Sequence, residues 1–474
     1  MDEAPDAPAH MIVERESHRD NPLLSAAAAA VLILCFVYGG DSTDGNLGMM
    51  VAQMLAIPLL IVGAVLAAKR GNLRSARWGV AVALLVGVLP LLQLLPIPSS
   101  LWNLPVERMS LLRDLGISGV ASVDQRWTLS PSATERDFYF LLPGLAMFFC
   151  MLGSGRTTWR RMLGLLVVLG LLNLGLAFAQ VAAGQASFLN PYPDFAPAMA
   201  GVFANRNHQA TLLATGLMVV SVFLIDSWRN SRGGERMSGE VAILSFAGLV
   251  FLLALPLVGS RAGVIVAMVM LMAVLLTSGL PTWQNFRQNR LLQIGTLAAL
   301  LVFVGGLLAA RAWMQVDVGT QGSRHTLLTE TLRIGGEHSP LGSGVGTFVT
   351  AFQQRASAAV PLDAFVNNAH NEYSQWWLEA GIAGVLLIFA SLAVFIGALL
   401  ALLRQRPGSS ARVVGMAAMM GVGVVVLHSI VDYPLRTQAI SAIFGILAGI
   451  AIAAASAESR VRKRSHTLKA QEID

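Results

Sequence analysis

The residues able to do chemistry fall in a few short stretches. Arg206 and His208 stand in ANRNHQA, Arg261 in GSRAG, and Arg324 with His325 in TQGSRHTLLTETLRIG. His370 and Glu372 lie in VNNAHNEYSQWWLEAGIAG, and His428, Asp432 and Arg436 in HSIVDYPLR. A guanidinium is a planar, always charged fork that matches phosphate oxygens. Arg261, Arg324 and Arg206 are therefore candidates for gripping an anion, and the glycines flanking Arg261 would let a bulky diphosphate approach the backbone. His370 can accept a proton near neutral pH. A helix starting near Asn371 would put His370, Tyr373, Ser374 and Trp377 on one face, where aromatic rings beside polar groups suit a sugar.

Each residue also has a plainer explanation. Arg261 fits an interfacial arginine that snorkels to headgroups, and Arg324 a solvated loop arginine. Arg206 stands at a helix start, where the macrodipole disfavours a cation, so its presence there hints at a ligand. His370 fits a satisfied loop histidine or a helix cap. Trp376 and Trp377 fit an interfacial aromatic belt. The glycines of GEHSPLGSGVGTF form a flexible or tightly turned loop, and no GK[ST] follows to make a phosphate-binding P-loop. No DxD, HExxH, GxSxG or CxxC is present, so no metal site is expected.

The chain that must position these groups is 55% hydrophobic and 13% charged over 474 residues, with mean hydropathy +0.64. A soluble domain carries about a quarter charged residues. An all-α polytopic membrane protein is the expected class, because lipid accepts only helices or closed barrels. The apolar runs have the length that crosses a ~30 Å hydrocarbon core. The net charge of +6 reflects basic cytoplasmic loops, not nucleic-acid binding. Cys35 and Cys150 lie inside apolar runs and are not expected to form a disulfide.

About twelve spans are expected, near 23–39, 49–67, 78–97, 138–153, 162–182, 209–226, 241–258, 262–279, 292–311, 380–403, 413–431 and 438–456. Most of the 33 Lys and Arg fall in alternate connections and the C-terminal tail. That places both termini in the cytoplasm, with an uncleaved signal-anchor at the start. The organisation read from this is a cytoplasmic tail (1–22), an N-terminal set of spans (23–200), a catalytic region (201–457) with a large outer loop (312–370), and a basic cytoplasmic tail (458–474). The chemically able residues all gather on the outer face, periplasmic in a Gram-negative cell. Convergence of charge from separate loops at one membrane face suggests a site. No nucleotide sugar exists there, so a transfer reaction would need a lipid-linked donor.

The stretches SRAG (260–263), GSRHTLLTETLRIGGEHSPLGSGVGTF (322–348) and HNEYSQWWLEAGIAG (370–384) resemble the O-antigen ligase and polysaccharide polymerase superfamily. The resemblance covers roughly residues 200–435. It implies a metal-independent, cofactor-free, inverting glycosyltransferase of GT-C-like architecture in the bacterial inner membrane, acting on the periplasmic face. The donor would be an undecaprenyl-diphosphate-linked glycan, and the acceptor a lipid-linked repeat or lipid A-core. Carried over, Arg261 and Arg324 bind the diphosphate with Arg206 beside them, and His370 acts on the acceptor hydroxyl. Asn371, Glu372, Tyr373, His208, His428 and Arg436 support them. Polymerase and ligase are not separated, although the long 98–137 loop leans toward polymerase or exopolysaccharide assembly. The alternatives are a multi-span transporter or flippase, which would show repeats and midplane charges, and an envelope scaffold.

Overall fold

The computed structural model describes residues 20–42, 45–119, 124–184, 187–192, 199–231, 238–278, 318–357 and 365–471. The expected span at 292–311 lies outside them. The principal elements are α1 (Pro22–Tyr38), α2 (Leu47–Lys69), α3 (Arg77–Gln93), α4 (Val106–Ile117), α5 (Pro131–Leu152), α6 (Arg156–Ala183), α7 (Arg206–Asn230), α8 (Gly239–Leu257), α9 (Arg261–Ser278), α10 (Val318–Glu337), α11 (Phe348–Arg355), α12 (Glu372–Arg404), α13 (Ser410–His428), a 3-10 turn (Pro434–Arg436) and α14 (Gln438–Gln471). Among the described residues there is no strand beyond an isolated bridge between Pro96 and Arg126. Among the described residues, eight helices are long and apolar enough to cross a membrane: α2, α6, α7, α8, α9, α12, α13 and the first part of α14. Apolar α1 and α3 are shorter. α5 carries Glu135, Arg136 and Asp137 in its second turn. Cys35 and Cys150 are both free and buried.

α14, α13 and α7 form the buried centre, while α12, α2, α8 and α9 face outward. Small residues make the central contacts, as membrane helices need them to for close backbone approach. Ser441, Gly445 and Gly449 recur every fourth residue on α14. A Cβ at Gly445 would stand 2.1 Å from the Gly144 carbonyl oxygen of α5, and one at Gly449 would stand 2.7 Å from that of Phe148. Gly63 of α2 meets Cys150 of α5 in the same way.

The helix termini converge at one end of the bundle. Ala204 N–H, just before α7, donates to Gly40 after α1, and Ala439 N–H of α14 donates to Gly39. Glu372 N–H at the start of α12 donates to Ser429 after α13. Gly263 of α9 packs on Ala210 of α7.

A cap covers part of this end, and the 98–137 segment is half of it. Arg108 of α4 is fully buried; burial lowers its pKa to about 10. It donates to the carbonyls of Arg126, Trp127 and Gly342. Trp127 Nε1 donates to Leu341 O at 2.9 Å, and Leu129 N to Ser343 O at 2.8 Å. Arg355 of α11 donates to Glu107 of α4. The glycine-rich 342–346 loop is thus tightly turned, with Gly342, Gly344 and Gly346 all at positive φ.

That loop also explains the EAG stretch. α12 breaks at Gly381 (φ 55°, ψ −138°). Leu378 and Glu379 carbonyls accept from Ser343 and Gly344 N–H, and Pro340 O accepts from Ile382 N–H. A Cβ at Gly381 would fall 2.2 Å from Pro340 O, so only glycine fits both the conformation and the space.

His338 is buried in this cap with no hydrogen-bond partner for either ring nitrogen among the described residues. Burial, reinforced by Arg108 and Arg355, lowers its pKa from 6.5 to about 4. The folded protein therefore binds fewer protons than the unfolded chain in that window, and stability falls as pH drops through it. Going from neutral pH to about pH 5 should cost the wild type roughly 2 kcal/mol more than His338→Leu. Thermal melts of the two detergent-solubilised proteins at both pH values measure the difference.

Candidate functional site

Asp432 and Tyr433, in the turn between α13 and α14, are the hub of the site. Asp432 is 1% exposed. Its Oδ1 lies 3.3 Å from His370 Nδ1, and its Oδ2 accepts from Asn205 Nδ2 at 3.4 Å. Burial alone would raise its pKa; contact with His370 and the nearby His208 and His428 outweigh that and hold the carboxyl well below its usual range. The Tyr433 ring stands edge-on between two imidazoles, with centroids 4.8 Å from His370 and 5.1 Å from His208. Its hydroxyl meets Asn205, Asn367 and Ser42.

His370 is not on the α12 face that the sequence suggests. Asn371 is the N-cap, accepting from Ser374 N–H at 2.9 Å, and the helix begins at Glu372. His370 stands before it with φ +51°, a left-handed conformation that costs a non-glycine residue energy. This turn swings the imidazole onto Asp432 and Tyr433, away from Trp377, which instead donates to Leu332 O of α10. Asn371 Nδ2 also donates to Ile430 O at 2.7 Å, and Tyr373 hydroxyl to Val426 O at 2.7 Å.

His208 and His428 join the same group. His428 Nδ1 shares a 2.7 Å hydrogen bond with Thr211 of α7. His208 is buried, and neither of its ring nitrogens, nor Nε2 of His428, has a hydrogen-bond partner among the described residues. Asn367 and Asn368 donate to Ser42, and Asn368 accepts from Gln375, which ties the segment before His370 to the end of α1.

The three arginines lie toward the same end of the bundle as this group. Arg206 is the exposed first residue of α7, two positions before His208. Arg261 is half-buried at the start of α9, in the turn that packs on Ala210. Arg324 is exposed on α10, and its charge acts on the His428 imidazole.

Arg436 does something else. It is one guanidinium among three carboxylates. Nη2 donates to Glu379 Oε2 at 2.8 Å, Nε to Glu372 Oε2 at 3.2 Å, and Nη1 to Asp137 Oδ2 at 3.3 Å. Burial alone would weaken its charge, but these partners hold it firmly protonated. Glu372 Oε1 also accepts from Leu435 N–H. This network fixes the first turns of α12, and with them His370, against α5 and the 3-10 turn.

Sequence reasoning missed Asp432 as a partner of His370, and it missed Tyr433, Asp137, Glu379, Ser42 and Asn205. The acidic side chain within HSIVDYPLR was visible. Asp137 was not, because it lies 299 residues from Arg436. No group of three or more metal-ligating side chains occurs among the described residues.

Residues 246–389 match a family model described as O-antigen ligase. That segment is of the O-antigen ligase and polymerase type and contains Arg261, Arg324, His370 and Glu372. Arg206, His208, His428, Asp432 and Arg436 lie outside it. No curated protein matches the chain. With the apolar helices, the match describes a multi-pass membrane protein.

Removing Arg436 would strand two buried carboxylates, Glu372 and Glu379, and the half-buried Asp137, a change worth about 3–5 kcal/mol. Arg436→Ala should melt far below the wild type in detergent. Arg436→Lys should fall between, since a compact ammonium keeps the charge but not the wide, fixed fork that reaches all three carboxylates. Equal melting temperatures for all three proteins would contradict this role.

Proposed function

We propose that the chain is an inner-membrane glycosyltransferase, moving a glycan from undecaprenyl diphosphate to an acceptor sugar on the periplasmic face. The observation that carries this reading is the His370–Asp432 pair, within a chain whose 246–389 segment matches a family described as O-antigen ligase. The Asp432 carboxylate 3.3 Å from Nδ1 favours the tautomer that carries its proton there, which leaves His370 Nε2 as the proton acceptor. The acceptor hydroxyl gives its proton to Nε2 as its oxygen attacks the anomeric carbon. The bond from that carbon to the diphosphate breaks, and the diphosphate leaves with the electron pair. Displacement from the opposite face inverts the anomeric centre.

Diphosphate is already a good leaving group. Arg261, Arg324 and Arg206 need only neutralise the charge that develops on it. Asp432 stabilises the imidazolium that forms and holds the ring in the required tautomer. A base so placed is worth ~10²–10⁴-fold; holding donor and acceptor together supplies much of the rest. Asn371, Glu372, Tyr373, His208, His428 and Arg436 position the base and the helix that carries it.

The test uses purified protein with a polyprenyl-diphosphate glycan and an acceptor glycolipid. His370→Ala should lower turnover ~10²–10⁴-fold while the donor still binds. Asp432→Asn should impair turnover in the same direction with little change in donor binding. Arg324→Lys should weaken donor use, because a point charge does not replace the bidentate fork. Full activity of His370→Ala, or a strict requirement for a divalent metal, would overturn the mechanism. In cells, a deletion separates the two acceptors. Lost ladders with single repeats retained on lipid A-core indicate a polymerase; complete loss of glycan from lipid A-core indicates a ligase.

A further inference from the structure

A cavity of about 250 Å³ lies between α3, α5, α12 and α14. Its walls are apolar, with Ala83, Val86, Leu141, Leu145, Leu392 and Phe444 among them. One polar rim carries Asp137, Glu372, Arg436, Tyr373 and Trp376. The outward faces of α3 and α12 expose Leu84, Leu85, Leu386 and Phe389, so the cavity is one helix layer from lipid. Glu372 and Tyr373 are shared ground: they line the cavity and directly follow the cap of α12, beside His370.

The rim does not suit a phosphate. Asp137, Glu372 and Glu379 outnumber the one guanidinium they share. A diphosphate is repelled here and favoured near Arg206, Arg261 and Arg324. Sugar hydroxyls do fit. They donate to carboxylates and accept from a guanidinium, and an indole offers an apolar face for a pyranose ring. We propose that this cavity holds the hydrocarbon chain of the lipid-borne acceptor, its sugar resting on the Asp137–Arg436–Trp376 rim with a hydroxyl within reach of His370. The donor then occupies the arginine side, and the two lipids approach the imidazole from opposite flanks of the α12 start. This assignment rests on the transfer reading above.

The experiment is photolabelling of the full-length protein in nanodiscs. The probe is a long-chain alkyl glucoside with a diazirine in mid-chain. Label should concentrate on α3, α5 and α14. It should fall roughly tenfold in Ala83→Trp and in Ser391→Phe, which fill the cavity from two different helices. An alkyl phosphate of the same chain length should label the cavity roughly tenfold less. Thermal melts identify which filled variant is folded. A folded variant with undiminished label, label spread over the outward faces of α2, α8 and α9, or equal labelling by the phosphate would each overturn the assignment. Labelling requires no turnover. If the cavity labels as expected while His370→Ala still transfers glycan, the transfer mechanism falls and the lipid site stands.

Discussion

The structure depends on one charge that is expensive to bury. Arg436 sits 13% exposed between a carboxylate from α5 and two from the first turns of α12. Taking ions out of water costs several kcal/mol each, and mutual attraction repays it only when geometry and hydrogen bonding are good. Here the guanidinium uses all three nitrogens, and Glu372 gains a further backbone donor. An arrangement of this kind is weak evidence for raw stability. It is strong evidence for a fixed relative position, because few other placements satisfy all four groups. The element so fixed is the start of α12.

His370 inherits that position. Asn371 caps the helix, Glu372 is held by Arg436, and the residue before them is forced into a left-handed turn. The imidazole therefore meets Asp432, four residues before Arg436 in the same short turn. One loop supplies both the clamp on the helix and the partner of the base. The cap works from the other side. Its glycine loop takes the carbonyls released where α12 breaks at Gly381, so the polar first turns of the helix run in a different direction from its apolar remainder.

Much of this was legible in the sequence, and the illegible parts have a common cause. The apolar runs marked the helices because lipid imposes length and hydropathy on each span independently. The outer arginines and histidines stood out because charge is rare in such a chain. The expectation that His370 lies on the α12 face failed by one residue: an asparagine after a histidine is a better cap than a first helical residue, and helical periodicity does not reveal where capping begins. The 98–137 loop read as a cue about the acceptor, whereas its Arg108 ties the cap together. Asp137 is one of three charges in the second turn of α5. Its partnership with Arg436 joins distant segments, and local pattern carries no record of such a pairing.

The stripe of Ser441, Gly445 and Gly449 has a consequence for assembly at the translocon. α14 is the centre against which α5, α13 and α1 pack, yet it follows all of them in the chain. Helices that emerge earlier must wait in the bilayer with small-residue grooves unfilled. Until α14 inserts, those grooves face lipid, so the closest backbone contacts of the bundle form only after the helices around them are in place.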